Sequence, residues 1–268
     1  MKETDPNGAI RDVWIDAGSM LGEGVGLLFT NRLGGTSQPP YDSLNLSYHT
    51  RDNTHNVRAN RNIVALKTGV AEGNFVYLDQ VHGTVVKRAR LEVEGDPHAP
   101  FGERLKATDG VFTTEPELAL SVLTADCLPV ALSCSEKDMV AMLHAGWRGT
   151  LNDLVGRAIG RFKSELGVDP CRMKAVIGPG IGPCCYVVEE GRARVFVEKY
   201  GRKNGVILKE SGYRLDLRRA NVINLLEAGM REENIISVGG CTCCERRYFS
   251  FRRDGVTGRQ GAFIYRNA

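Results

Sequence analysis

Apolar residues along this chain fall into short runs punctuated by glycine, proline and polar residues, and the runs carry two different periods. Residues 26–30 (GLLFT) read as a strand before a Gly34-Gly35 turn. Residues 53–66 have helical spacing, with Asp52 or Asn53 as the cap. Residues 75–78 form a short strand running into Asp79-Gln80-Val81-His82-Gly83. Three apolar runs follow, at 118–123, 130–133 and 139–143, the last two separated by the polar turn 135–138. Leu151, Leu154, Val155, Ala158, Ile159, Phe162 and Leu166 are spaced by three and four, which predicts one helix capped by Thr150 and ended by Gly167 and Pro170. A further helix fits 221–230, and glycine-punctuated strands fit 248–265, with 251–255 and 257–261 as a hairpin. No repeat and no proline-rich, serine-rich or charge-block linker divides the chain. The pattern is that of a single mixed α/β domain over 1–268, with a short N-terminal extension of about ten residues.

Composition narrows the setting. With 42% hydrophobic and 25% charged residues over 268 positions, the chain has enough apolar material for one large core. Thirty-five basic against 32 acidic residues leave a net charge of +3, too near neutrality for nucleic acid or an anionic membrane as the main partner. Met1 to Asn7 is polar and Asp126 interrupts the most apolar stretch, so neither a signal peptide nor a membrane span is expected. Eight cysteines are too few for a disulfide scaffold, and free thiols in a reducing cytoplasm are the expectation.

The chemistry concentrates in a few residues. Of the five histidines, 49, 55, 82, 98 and 144, His82 and His144 stand where an apolar strand gives way to glycine. Cys127, in Thr124-Ala125-Asp126-Cys127-Leu128-Pro129, is placed alike. If the 135–138 turn is centred near Glu136, antiparallel partners sum to about 272 or 273, which puts His144 opposite residue 128 or 129. Cys127 then lies within the ~5–8 Å range of direct or diagonal cross-strand neighbours. No spacing argument brings His82 there. Two imidazoles and a thiolate suit Zn²⁺, with copper possible, and three protein ligands leave a fourth position open, where a bound water would be acidified. A buried thiol beside two hydrogen-bonded histidines, or a metal-free Cys–His nucleophile, fits the same residues.

His144 opens His144-Ala145-Gly146-Trp147-Arg148-Gly149-Thr150, where Arg148 and the following helix N-terminus are candidates for holding phosphate. Residues 178–186 (GPGIGPCCY) follow a strand but are no dinucleotide fingerprint, since Pro183 replaces the third glycine. They read as a pocket rim or a plain crossover. Neither a Walker A pattern nor the Cys-x-x-Cys deaminase signature occurs. Cys241, Cys243 and Cys244 raise a second metal site, but two are adjacent and no histidine is near. Like Cys184 and Cys185, they read as packing.

Several ordered motifs now resemble a known family. FTNRLGG (29–35), YDSLNL (41–46), DQVHG (79–83), TADC (124–127), HAGWRGT (144–150), GPGIGPCCY (178–186), FRRDG (251–255) and TGRQG (257–261) are similar, in order, to the YfiH or laccase-domain family. The resemblance covers about residues 26 to 265. It implies an α+β fold, a mixed sandwich of layered sheets flanked by helices, YfiH/CNF-like. It also implies a metal on His82, Cys127 and His144, which double as the catalytic set. Gly180 and Val187-Val188 depart from the usual pattern at the rim.

The activity implied is a purine nucleoside phosphorylase acting on adenosine, inosine and methylthioadenosine, with phosphate as co-substrate, and also deaminating adenosine. Asn45, His49, Arg61, Gln80 and Arg148 are the expected substrate contacts, and a monomer or small homo-oligomer is expected. The alternatives are a copper polyphenol oxidase, a Cys/His hydrolase acting on peptidoglycan precursors, and a non-catalytic metal-binding protein. Five histidines cannot supply the multinuclear cluster the first would need.

Overall fold

A computed structural model describes residues 2–4, 10–12, 14–91, 103–202, 204–210 and 212–267. Most of the expected N-terminal extension, and His98, lie outside the described residues. Two six-stranded sheets form the centre. In spatial order the first contains Trp14–Asp16, Val25–Thr30, Gln260–Arg266, Ala119–Thr124, Phe75–Leu78 and Glu103–Leu105. The second contains Ile235–Ser237, Lys174–Ile177, Leu128–Cys134, Met139–Ala145, Gly110–Thr113 and Val86–Arg88. Both mix parallel and antiparallel pairs. A small sheet of Val187–Val188, Gly212–Leu215 and Ile207–Glu210 stands apart from them.

The continuous apolar runs now have a reason: their strands are covered on both faces. In the second sheet Ala131, Val140, Met142 and Val176 face the first sheet, where they meet Leu27, Phe29, Leu120, Val122 and Ile264. Their neighbours in sequence, Val130, Leu132, Ala141, Leu143 and Ile177, face the opposite way, toward helices. Those helices are α3 (Leu154–Leu166), α4 (Glu190–Tyr200) and α5 (Leu217–Glu227), through residues such as Ile159, Phe162, Phe196 and Leu225. On the outer face of the first sheet, α1 (Thr54–Thr68) packs Val64 over Leu28, Phe75, Tyr77 and Phe263. The layers are helix, sheet, sheet, helix, which is the mixed sandwich that the family resemblance implies.

Three local expectations need correction. The helix read as 151–166 is two helices: α2 (Trp147–Leu151), then α3. Asp153 separates them in the left-handed conformation (φ +60°), and its carboxylate, not Thr150, caps α3 by accepting from the Gly156 N–H at 3.1 Å. The helix read as 221–230 begins earlier, at Leu217, because Asp216 caps it through the Arg219 N–H, and it stops at Glu227 before Gly229 (φ +97°). The C-terminal hairpin does not form. Phe251–Asp254 is a short helix, α6, capped by Ser250, and only Gln260–Arg266 is a strand. Helix α4 was not expected at all; its single apolar stripe of Ala193, Phe196 and Tyr200 is diluted by charged residues.

Candidate functional site

The chain crosses between the two sheets at one end of the sandwich, and the chemistry sits on the crossings. Phe75–Leu78 belongs to the first sheet and Val86–Arg88 to the second, so His82 lies on the segment joining them. Ala119–Thr124 and Leu128–Cys134 are likewise in different sheets, with Cys127 on the three-residue crossing. His144 is near the end of Met139–Ala145, opposite Pro129, as the turn arithmetic required. The ligand atoms of His82, Cys127 and His144 lie within 4.8 Å of one another, and the two imidazole centroids are 4.9 Å apart.

Backbone geometry is spent on this convergence. His82 (φ +61°) and Asp126 (φ +108°) both occupy the left-handed region, which costs a non-glycine residue of order 1–3 kcal/mol and persists only when neighbours enforce it. Asp126 is held by Thr242 Oγ1 and the Arg252 N–H, both donating to its carboxylate at 2.7 Å. His82 is held by Asp109, whose carboxylate accepts from the backbone N–H groups of Val81, His82 and Gly83 at 3.2, 2.9 and 2.6 Å. The same carboxylate lies 2.9 Å from His144 Nδ1, which fixes the ring and turns Nε2 toward the cluster. Gly146 closes the back: a Cβ there would sit 3.0 Å from Cys127 Sγ and 3.2 Å from His82 Cδ2.

These contacts set the charges. Burial pushes the Cys127 thiol up, but the charge of His144 and hydrogen bonds from both histidines outweigh it and bring it to about 6. Burial pulls His144 down, yet the Cys127 thiolate and the Asp109 carboxylate raise it to about 9. Burial also disfavours the Asp109 carboxylate, but His144 and the N–H donors keep it below the usual range. Without a metal the site is therefore a thiolate–imidazolium pair braced by a carboxylate.

The cluster opens into a cavity of about 580 Å³. Its wall carries the cations Arg61, Arg148, Arg252 and Arg259 and the aromatic rings of Tyr77, Trp147, Tyr186 and Phe251. Of the substrate contacts expected from sequence, His49, Arg61, Gln80 and Arg148 line it. Arg61 reaches in from α1, with its guanidinium 3.5 Å from the Tyr77 ring centroid and Nε donating to the Leu46 carbonyl. Gln80 is partly committed: its amide exchanges two hydrogen bonds with the Leu123 backbone, at 2.9 and 2.8 Å. Asn45 does not line the cavity. It is fully buried, donating to Ser47, Thr50 and Asp52 and accepting from the Arg259 N–H, so it braces a loop behind the wall. The long helix after His144 also stays away: α2 is only five residues, and no residue of α3 lines the cavity.

The profile of the family described as "Multi-copper polyphenol oxidoreductase laccase" matches residues 26–267. The chain belongs to this family. Its relatives include the purine nucleoside phosphorylase YlmD of Geobacillus stearothermophilus, 32% identical over 94% of each chain. They also include the purine nucleoside phosphorylase YfiH of Escherichia coli, 33% identical over 91% of this chain and 94% of that one. The crystal structure of the Geobacillus YlmD superposes with a TM-score of 0.90, at 32% identity, over 96% of this chain and 97% of the other.

In this laccase-family chain Asp109 and Tyr77 also belong to the site, though no motif or spacing in the sequence points to them, and Arg259 lines the cavity rather than standing on a solvated edge strand. Asp109 had no usable signal, since Thr108-Asp109-Gly110 reads as an ordinary turn and gains its meaning only when the following strand pairs with Met139–Ala145. Arg259 stands just before the strand Gln260–Arg266. Burial lowers it, and the charges of Cys127 and Asp126 oppose that shift. No helix among the described residues is long and apolar enough to cross a membrane.

Proposed function

We propose that this protein is a metal-dependent purine nucleoside phosphorylase. The observation that carries the reading is the His82–Cys127–His144 cluster at the base of a cavity lined by arginines and aromatic rings. The names of the relatives support the same reaction. The donor set fits a zinc ion, with copper as the alternative: two imidazoles, one thiolate, a carboxylate behind one imidazole, and a glycine where a side chain would crowd the sulfur. Bound there with one side open, the ion would supply Lewis-acid chemistry next to the substrate.

The chain's own residues do the binding. Phosphate attacks the anomeric carbon of the nucleoside, the glycosidic bond breaks, and the purine leaves as the free base with the sugar 1-phosphate formed. Arg148, with Arg61 and Arg259 on the same wall, offers forked donors to phosphate and ribose oxygens. Tyr77, Trp147, Tyr186 and Phe251 offer rings against which a purine can stack, and His49 and Gln80 offer polar contacts. Inosine, adenosine and methylthioadenosine are the proposed substrates. Adenosine is also deaminated, water replacing the amino group and ammonia leaving. Incubation of metal-quantified protein with these nucleosides, with and without phosphate, is expected to yield free base and the corresponding sugar 1-phosphate (5-methylthioribose 1-phosphate from methylthioadenosine) only when phosphate is present. Adenosine alone yields inosine. No base from any nucleoside would overturn the reading.

One feature favours a second reading, a thiol hydrolase: the depressed Cys127 beside the raised His144 is the pairing of a cysteine nucleophile. In that case alkylation of the thiol abolishes activity and a chelator leaves it intact. A metal-dependent phosphorylase loses activity to both.

A further inference from the structure

Four cysteines outside the cavity converge from two distant segments. Cys184 and Cys185 end the 178–186 loop, and Cys241 and Cys244 lie in the turn before α6. Their sulfurs all lie within 4.8 Å of one another, with Cys244 Sγ 3.4 Å from Cys184 Sγ and 3.3 Å from Cys185 Sγ. Four ligands around one zinc ion, with Zn–S about 2.3 Å, stand roughly 3.8 Å apart. The observed spacings are close to that.

We propose that Cys184, Cys185, Cys241 and Cys244 form a second, closed metal site that holds a structural Zn²⁺ through four thiolates. Three further observations fit a cluster built around a cation. Cys241 Sγ accepts from the Gly182 N–H at 3.2 Å, a backbone donor of the kind that stabilises a metal-bound sulfur. Gly182 keeps the backbone close to the cluster, where a Cβ would lie 3.3 Å from Cys184 Sγ and 3.7 Å from Cys241 Sγ. Four thiolates on a divalent cation carry a net charge of −2, and four guanidiniums surround the two segments. Arg214 donates to the Cys184 carbonyl, Arg252 to that of Cys185, Arg253 to those of Thr242 and Cys243, and Arg218 to those of Gly178 and Gly239.

The site has a structural consequence. The two segments are otherwise joined by little backbone pairing, a single bridge between Gly180 and Cys241 and the Thr242 N–H on the Gly180 carbonyl. A metal there fixes Ile181 and Tyr186 on the cavity rim. It also fixes Thr242, whose hydroxyl holds Asp126 beside Cys127. The inference does not depend on which reaction the cavity performs.

The test is metal content per chain in protein purified with zinc under reducing conditions, for wild type, Cys127→Ala and Cys184→Ser/Cys244→Ser. Cys127→Ala is expected to retain one zinc ion, and the double serine variant to lose it while keeping the metal at His82, Cys127 and His144. Should the double variant fail to fold, Co²⁺ in the Cys127→Ala protein decides. Intense sulfur-to-cobalt charge transfer with tetrahedral d–d bands supports the site. A folded Cys127→Ala protein that binds no metal overturns it, as does a Cys184–Cys244 or Cys185–Cys244 disulfide under those conditions, or a wild-type zinc content that the double variant leaves unchanged.

Discussion

Asp109 shows how much of this site rests on one carboxylate. It is fully buried, orients His144, and receives three backbone N–H groups that hold the His82 turn in its left-handed shape. Asp109→Asn keeps the volume but presents an NH₂ group to donors. It is expected to weaken metal binding 10–100-fold, the usual cost of losing such a partner, in a competition titration with a chromogenic chelator. Unchanged affinity would mean that Asp109 only braces the turn. Cys127 gives a pH prediction. Its pKa near 6, set against burial by His144 and His82, keeps it a thiolate above that pH. In metal-free protein its alkylation rate by iodoacetamide should be flat above pH 6 and fall tenfold per unit below it. A midpoint in the ordinary thiol range, near 9, would remove the ion pair from the account. At this scale the sequence was legible where a strand register could be counted, as for Cys127 and His144. It was silent on Asp109 and on the approach of His82, because those contacts are made across segments that no local period relates.

Among the elements, the turn arithmetic for 128–145 succeeded because a tight turn leaves an antiparallel pair only one register that keeps alternate residues on the right face. The α2–α3 break was hidden because both helices present apolar residues to one core cluster, so the 3.6 period runs on across Asn152 and Asp153. Helix α6 was hidden because its first turn is satisfied from outside, by Asp126 accepting from the Arg252 N–H and by Ser250. The break has a measurable signature. Asp153→Ala loses the cap and places a Cβ-bearing residue with no side-chain hydrogen bond at φ +60°, together costing roughly 2 kcal/mol in urea unfolding. Asp153→Gly, free at that angle, should cost less than about 1 kcal/mol. Equal costs would argue that the left-handed turn carries no strain.

The whole molecule is a sandwich whose two sheets share an apolar interface, and the candidate ligands sit where the chain passes between them. A metal held by His82, Cys127 and His144 would therefore tie one sheet to the other. Zinc loading should raise the thermal midpoint of the whole chain, and the part of that rise due to this site should be missing in Cys127→Ala. The apolar runs, continuous because their strands are covered on both faces, made a mixed α/β unit legible in the chain, while the layered sandwich followed only from the family resemblance. The cavity was not, since its wall is assembled from α1, the crossings, the 178–186 loop and α6. We propose that metal at this cluster supports phosphorolysis. The most direct test is release of hypoxanthine from inosine by wild type of known metal content, beside Cys127→Ala, with and without phosphate. The loaded wild type is expected to release hypoxanthine only with phosphate, and the variant none. Equal release by both proteins, or none by fully loaded wild type, would contradict the proposal.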